Sequence, residues 1–262
     1  MPHQSFSGNG DVRISPTIAP SVPCGACPLR CSPAFRAFSS SELQFVSDMK
    51  RGDIVIAAGD RLIAEGRKAA LLYTLYDGWA IRFQTLPDGS RQILDFVLPG
   101  DLIGLPAYLL GSSPYSVRAL TPAKLCALDA TRLPALFRSE PDLAMSLMVA
   151  GAQEQQRGDA RLTSLGRMGA SERVGYLMLE LRTRLKERGL FEGQSCAFPV
   201  RRAHLADAVG LSKAHLMRAL RNLRVRGLAD LGKGVLTIPS ARELARFAGY
   251  PASRAAPRLP IL

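Results

Sequence analysis

Between residues 54 and 128 short apolar runs alternate with turn residues. Runs at 54–58, 71–75, 80–85, 92–97, 117–120 and 124–128 are separated by Gly59-Asp60, Asp77-Gly78, Pro87-Asp88-Gly89 and Pro99-Gly100-Asp101. Short strands at this spacing predict an all-β roll or barrel. Past Pro141, a residue favoured in a first helical turn, the period changes to that of a helix reaching about Leu165. Leu143, Leu147, Leu162 and Leu165 are expected to form a seam against a partner helix, the plainer alternative being a helix packed on its own domain. Residues 153–161 are polar and include Gly158, which lowers helix stability, so this helix is expected to be held by dimerisation. A second amphipathic helix over 171–188 places Val174, Leu177, Leu181 and Leu185 inward and ends at Gly189.

Residues 201–226 read as two short helices joined by a tight turn. The first, over 203–209, has Leu205 and Val209 on one face. Gly210 supplies the positive φ that ends it, and Ser212 offers an N-cap to the second helix. That helix turns Leu216, Leu220 and Leu223 inward, and its other face carries Lys213, His215, Arg218, Arg221 and Arg224. A cationic helix braced by another is the helix-turn-helix solution for the DNA major groove. The plainer alternative is an amphipathic hairpin with a solvated basic face. Residues 228–238 predict a short β-hairpin around Gly232-Lys233-Gly234, read as a wing.

Charge sharpens this picture. The 262-residue chain has a formal net charge of +12. From Gly169 onward 17 Lys and Arg face 7 Asp and Glu, a net of +10, whereas the first 168 residues hold 17 and 15, a net of +2. The excess belongs to the half with the two short helices, as a phosphate-binding surface requires. No apolar run approaches the ~18 residues of a membrane helix. Residues 1–22 are polar and rich in Gly, Ser and Pro, and predict a disordered tail, not a secretory signal. The expectation is a soluble cytoplasmic protein without a membrane partner. The three histidines, His3, His204 and His215, make no nucleophile, base and orienter set, so an enzyme is not expected.

Five cysteines in such a compartment point to metal or redox chemistry, or to buried thiols. Cys24, Cys27 and Cys31 form a C-x2-C-x3-C pattern whose thiolates can converge on one soft metal. A fourth ligand would have to be Cys126 or Cys196. The alternative is a set of thiols with no metal.

The order of roll, long helix, helical connector, helix-turn-helix and wing resembles the Crp/Fnr family of bacterial transcription regulators over about residues 24–249. The residues that carry the resemblance are Leu98-Pro-Gly-Asp-Leu-Ile-Gly104, Ala170-Ser-Glu-Arg173 and Leu205-Ala-Asp-Ala-Val-Gly-Leu-Ser212. Asp77-Gly-Trp-Ala-Ile-Arg82, Arg91-Gln-Ile-Leu94 and Cys27-Pro-Leu-Arg30 extend it. The resemblance implies an α+β chain: a disordered tail (1–22), a cysteine-containing segment with a cyclic-nucleotide-binding-like β-roll (23–140), a dimerisation helix (141–168), a winged helix-turn-helix (169–250) and a tail (251–262). It also implies a homodimer on a palindromic site in double-stranded DNA, with RNA polymerase as a further partner.

Cyclic-nucleotide members of the family carry a Glu after the Gly of the roll motif and an Arg-Ser pair about ten residues on. In this chain those positions read Leu105 and Tyr115-Ser116, so no cyclic nucleotide is expected. FNR-like members bind a [4Fe-4S] cluster through N-terminal cysteines and one in the roll. Cys126, 22 residues after Gly104, falls at the roll position, so the resemblance implies Cys24, Cys27, Cys31 and Cys126 as ligands. The spacing departs from the FNR-like pattern, which separates the second and third cysteines by more than the three residues of this chain. That departure bears on Cys31, and a cluster-free regulator is the alternative. Cys196, placed in a loop, reads as a structural thiol. Where the FNR-like recognition helix has a Glu and then Ser-Arg, this chain has Ala214 and Met217-Arg218. Arg218 can grip guanine. Ser212, Lys213 and His215 are further contact candidates, and Arg201, Arg202, Arg221 and Lys233 are expected to meet phosphates. From another class, the rival reading is a roll fused to a helical interaction module that binds no DNA.

Overall fold

The computed structural model describes residues 17–32 and 35–251. The first half is built from β1 (Thr17–Ala19), α1 (Ser40–Met49), β2 (Lys50–Ile56), β3 (Arg61–Ile63), β4 (Leu71–Asp77), β5 (Ala80–Thr85), β6 (Arg91–Val97), β7 (Leu102–Ile103), α2 (Leu105–Leu109), β8 (Ser116–Ala119), β9 (Ala123–Asp129) and α3 (Leu133–Ser139). The strands form an antiparallel sheet ordered β1-β2-β9-β4-β7 and a second ordered β3-β8-β5-β6. Alternation decides what faces inward: in β9 Ala123 and Leu125 are buried while Lys124 is exposed. Ile56, Leu75, Ile103, Val117 and Leu125 fill the space between the sheets. Gly104 closes the roll motif at φ 99°, and a Cβ there would lie 2.9 Å from the Leu71 carbonyl oxygen. Both facts require glycine.

The six strands read from the alternation are all present. The tail expected over residues 1–22 is ordered from Thr17 onward, and residues 1–16 lie outside the described residues. β1 pairs with β2, Thr17 opposite Val55. The Val22 N–H then donates to Asp53 Oδ2 (2.6 Å), and Lys50 Nζ donates to the Val22 carbonyl (2.5 Å). A buried carboxylate and ammonium therefore pin a segment whose composition alone would leave it loose.

The second half comprises α4 (Pro141–Arg167), α5 (Ala170–Glu187), β10 (Ser195–Ala197), α6 (Arg202–Val209), α7 (Lys213–Val225), β11 (Asp230–Gly232), β12 (Val235–Thr237) and α8 (Ala241–Ala248). β10, β12 and β11 make a small sheet. Cys196 thus stands in a strand, not in the loop expected for it, because its pairing with Leu236 builds that strand. No helix among the described residues is long and apolar enough to cross a membrane.

The leucine seam expected along α4 needs correction. Leu143 and Leu147 are buried in their own chain against Val46, Leu133 and Leu136, and Leu165 is half-buried. Only Leu162 of the four is exposed, at 72%. The exposed face instead runs Met145, Met148, Ala152, Gln155, Asp159, Leu162 and Gly166, at alternating intervals of three and four. The roll takes the leucines on one side of the helix and leaves the methionines on the other.

The two halves share one apolar core: Trp79, Phe83 and Phe96 of the roll join Val174, Phe198, Leu205 and Leu216. The Trp79 and Phe198 rings meet edge to face at 5.7 Å. Beside this core lies a buried charge network. Asp95 of β6, 5% exposed, accepts from Arg82 (3.0 Å), Arg161 of α4 (2.7 Å) and Arg184 of α5 (2.9 Å). Arg161 also donates to Glu180 (2.6 Å) and to the Leu94 carbonyl. Asp101 accepts from Arg184 (2.5 Å) and Arg188 (2.7 Å). Burial alone would push the Asp95 carboxyl up, but Arg161, Arg184, Arg82 and Arg157 outweigh it and hold it well below the usual carboxylate range.

Removing one partner of a buried ion group strands the others, at about 3–5 kcal/mol. Asp95→Ala is therefore expected to lower unfolding stability by about that amount in urea titrations. Asp95 and Asp101 both titrate below their ordinary value. Their stabilisation is thus fully present above about pH 4 and is lost as pH falls further. Acid titration of Asp95→Asn should show a shallower loss below that pH than the native chain does; an unchanged acid limb would contradict the assignment.

Candidate nucleic-acid interface and thiol cavity

α6 buries Leu205 and Val209, and Gly210 ends it at φ 61°, its N–H bonded to the Ala206 carbonyl. Ser212 then caps α7: its Oγ accepts the His215 N–H (3.3 Å) and lies 3.1 Å from His215 Nδ1. Leu216, Ala219 and Leu223 of α7 are buried against α5 and α6, with Leu220 half-buried. The opposite side is open: Lys213, Ala214, His215, Met217, Arg218, Arg221 and Arg224 are exposed. Arg201 and Arg202 are exposed at the start of α6. Lys233 stands at the tip of the β11–β12 hairpin with φ 51°, a conformation that favours glycine and presents the ammonium outward between Gly232 and Gly234.

All eight residues expected to contact DNA therefore lie exposed, on α6, on α7 and its cap, and at the wing tip. Among the described residues none of Arg201, Arg202, Lys213, Arg218, Arg221 and Lys233 makes an ion pair. Arg224, by contrast, lies 3.7 Å from Asp230 of β11. Unneutralised cations on one rigid helix and one hairpin tip form a surface that can exchange counterions for phosphates. Met217, named in the sequence beside Arg218 but given no contact of its own there, is 42% exposed on the same face.

A second site lies under the N-terminal segment. Cys24, Cys27 and Cys126 line one cavity of about 30 Å³, together with Arg30, Lys50 and Asp53. Cys126 stands on β9 opposite Asp53 of β2 and Thr74 of β4. Burial pushes its thiol up to about 12, with Lys50 pulling down and Asp53 pushing up. Arg30 donates from Nε to the Cys24 carbonyl (2.9 Å) and stacks 4.0 Å from the Phe38 ring centre. Its buried Nη1 has no hydrogen-bond partner among the described residues.

Three of the four cysteines expected as cluster ligands thus share one cavity, and the side chain of Cys31 lies outside the described residues. Cys196, the other candidate for a fourth donor, is buried in the DNA-facing half, and burial pushes its thiol up to about 11. Soft thiol donors beside two cations suit an anionic iron–sulfur centre. The present room, however, is that of about one water, and no three ligating groups among the described residues are arranged to hold a metal ion.

A larger cavity, about 620 Å³, lies between β6, the 100–106 segment and α4. Leu105, Pro106 and Tyr115 line it, at and beside the positions where cyclic-nucleotide members carry their Glu and Arg. Arg82 and Arg161 on its wall are already bound to Asp95, Glu154 and Glu180.

Comparison with known proteins agrees with this division. Residues 53–140 match the family model of the cyclic nucleotide-binding domain, and residues 172–247 match that of the Crp-like helix-turn-helix domain. The nitrogen fixation regulation protein FixK of Bradyrhizobium diazoefficiens is 26% identical over 222 residues, 84% of this chain and 91% of that protein. The transcriptional activator protein anr of Pseudomonas aeruginosa is 24% identical over 226 residues, 86% of this chain and 91% of its own. Among solved structures, that of FixK2 from Bradyrhizobium japonicum superposes with a TM-score of 0.67 at 25% identity, covering 78% of this chain and 98% of that one.

Proposed function

From the premise that this chain belongs to the Crp/Fnr family of DNA-binding transcription regulators, we propose that it acts as a homodimer on a two-fold symmetric DNA site, with α7 as the reading helix. The observation that carries this reading is the open cationic face of α7, braced by α6 and, among the described residues, free of ion pairs at Lys213, Arg218 and Arg221. Arg218 grips a guanine through O6 and N7, while Arg201, Arg202, Arg221 and Lys233 hold phosphates, and Ser212, Lys213 and His215 flank the bases. The two recognition helices enter successive major grooves about 34 Å apart, and RNA polymerase is the partner through which the bound dimer acts on transcription.

Arg218→Ala should cost about 1–3 kcal/mol on the selected site and relax discrimination at one base pair. Lys233→Ala should weaken all sequences alike and flatten the salt slope by about one. Equal weakening of specific and random DNA by Arg218→Ala would remove Arg218 from the reading role.

The dimer forms along the exposed face of α4 through Met145, Met148, Ala152 and Leu162. Leu162→Glu places like charges opposite each other in that seam. It should give a monomer by sedimentation at micromolar concentration, with DNA affinity reduced more than tenfold because two half-sites no longer act together. A dimer that survives this change would place the interface elsewhere.

A finer reading concerns the thiol cavity. Cys24, Cys27 and Cys126, with Cys31, would hold a [4Fe-4S] cluster, which supplies redox chemistry when bound. Convergence of three thiols beside Arg30 and Lys50 supports it, and the cavity of about 30 Å³ would have to widen to admit the group. Arg30 is placed to offset thiolate charge. Anaerobic purification should then yield about four irons per chain in wild type and in Cys196→Ser, and none in Cys126→Ser. Iron-free protein with unchanged DNA affinity in all three would make the chain a cluster-free regulator.

A further inference from the structure

The outward face of α7 is not uniformly cationic. In its first two turns Ala214 and Met217 lie one turn apart on the exposed side, next to Arg218. Met217 is 42% exposed, while the buried stripe of the same helix is supplied by Leu216, Ala219 and Leu223. The Met217 thioether is therefore not needed by the core. It is an apolar side chain held in water among Lys213, Arg218 and Arg221. The Ser212 cap fixes the backbone from which it projects, so its position is set by the helix and not by a loop.

With Arg218 on a guanine and Arg221 on a phosphate, these two turns are the part of α7 pressed nearest the base edges. The chemistry available at Ala214 and Met217 is then narrow. Neither residue can donate a hydrogen bond, and neither offers the strong acceptor needed to take up the amino groups of cytosine or adenine. In the major groove one group rewards an apolar contact, the 5-methyl of thymine.

We propose that Met217, with Ala214, reads a thymine methyl beside the guanine gripped by Arg218, so that each half-site carries a thymine adjacent to that guanine. Met217 is thereby a specificity-determining residue that works by burying a methyl group, not by hydrogen bonding. The inference rests on α7 being the DNA-reading helix.

The test uses the full chain and a duplex site selected from a random pool. Each thymine of that site is replaced in turn by uracil, which removes the methyl and keeps every hydrogen-bonding group. Wild type should lose about fourfold in affinity at one position per half-site, the factor for one buried methyl. Met217→Ala, which alters both protomers, should bind the thymine duplex about as weakly as wild type binds the duplex carrying uracil at that position of both half-sites, about sixteenfold below wild type on thymine, and should be indifferent to the replacement. Because Met217 is exposed, the variant should keep the wild-type unfolding midpoint and salt slope. Failure to select any sequence would overturn the reading helix itself. A selected site at which uracil is silent everywhere, or at which Met217→Ala still senses the methyl, would overturn only the specificity role of Met217.

Discussion

Asp95 is the carboxylate on which the relation between the two halves depends. It is buried on β6, and its guanidinium partners come from β5, α4 and α5. Three elements that differ in role, roll, long helix and DNA-facing half, thus close on one side chain. None of these arginines can lose its charge in a protein, so moving any of them away from Asp95 leaves a buried charge without its counter-ion. The arrangement resists partial displacement. Either the helix and the DNA-facing half keep their place on the roll, or the network reorganises as a unit. Arg91 to Asp207 (2.5 Å) and Gln92 to the Ala208 carbonyl (3.2 Å) extend the same edge of β6 to α6. The first helix of the reading pair is therefore anchored to the strand that carries Asp95.

The thiol cavity sits on the other sheet, yet it is not isolated from the long helix. Cys24 belongs to the apolar cluster that contains Val46, Leu128, Leu143 and Leu147, with Cys126 packed at its edge. The last two leucines are the roll-facing residues of α4. A change that moved the 24–30 segment would be felt first by these side chains, because a close-packed interior has few voids to absorb a displacement. The physical route from the cysteines to α4 is thus contact packing, whereas the route from α4 to the DNA-facing half is ionic.

Much of this was legible in the sequence, and the divisions follow from the kind of signal. Apolar runs set between turn residues, such as β5 and β6, and the Gly210–Ser212 turn could be read directly because their local chemistry dictates one conformation. β1, β3 and β7 span three, three and two residues, too short for any period to register. The thiol set was found by spacing and resemblance, and the structure brings three of its members together. The exposed seam of α4 does not follow its leucines, because the roll buries Leu143 and Leu147 and leaves the intervals of three and four at Met145, Met148, Ala152 and Leu162 to solvent. The charge network went unread, although it left a trace. Asp95 interrupts the run Ile93-Leu94-Asp95-Phe96-Val97, and a carboxylate in a buried strand requires cations from elsewhere in the chain.

In the proposed dimer, the competition between roll and solvent for α4 also accounts for a second chain meeting the helix in its middle. Its first turns are held by Leu143 and Leu147, and its last turns by Arg161 and the buried Ser164. Between them lie Gly151 and Gly158, each costing about 1 kcal/mol relative to alanine in a helix, with open space where a Cβ would stand. In that stretch the contact from Glu154 to Arg82 is an ion pair with the roll, while Ala152, Gln155 and Asp159 face solvent. Two glycines seven residues apart beside an exposed seam allow a neighbouring helix to approach closely, which compensates the lost propensity only if that helix is present. Asp159 works against it, since two copies would bring like charges together in the seam. A helix fixed at both ends by its own chain and marginal at its centre is therefore most responsive where a partner would touch it, and the ends of that helix are the places where the cysteine segment and the DNA-facing half are attached.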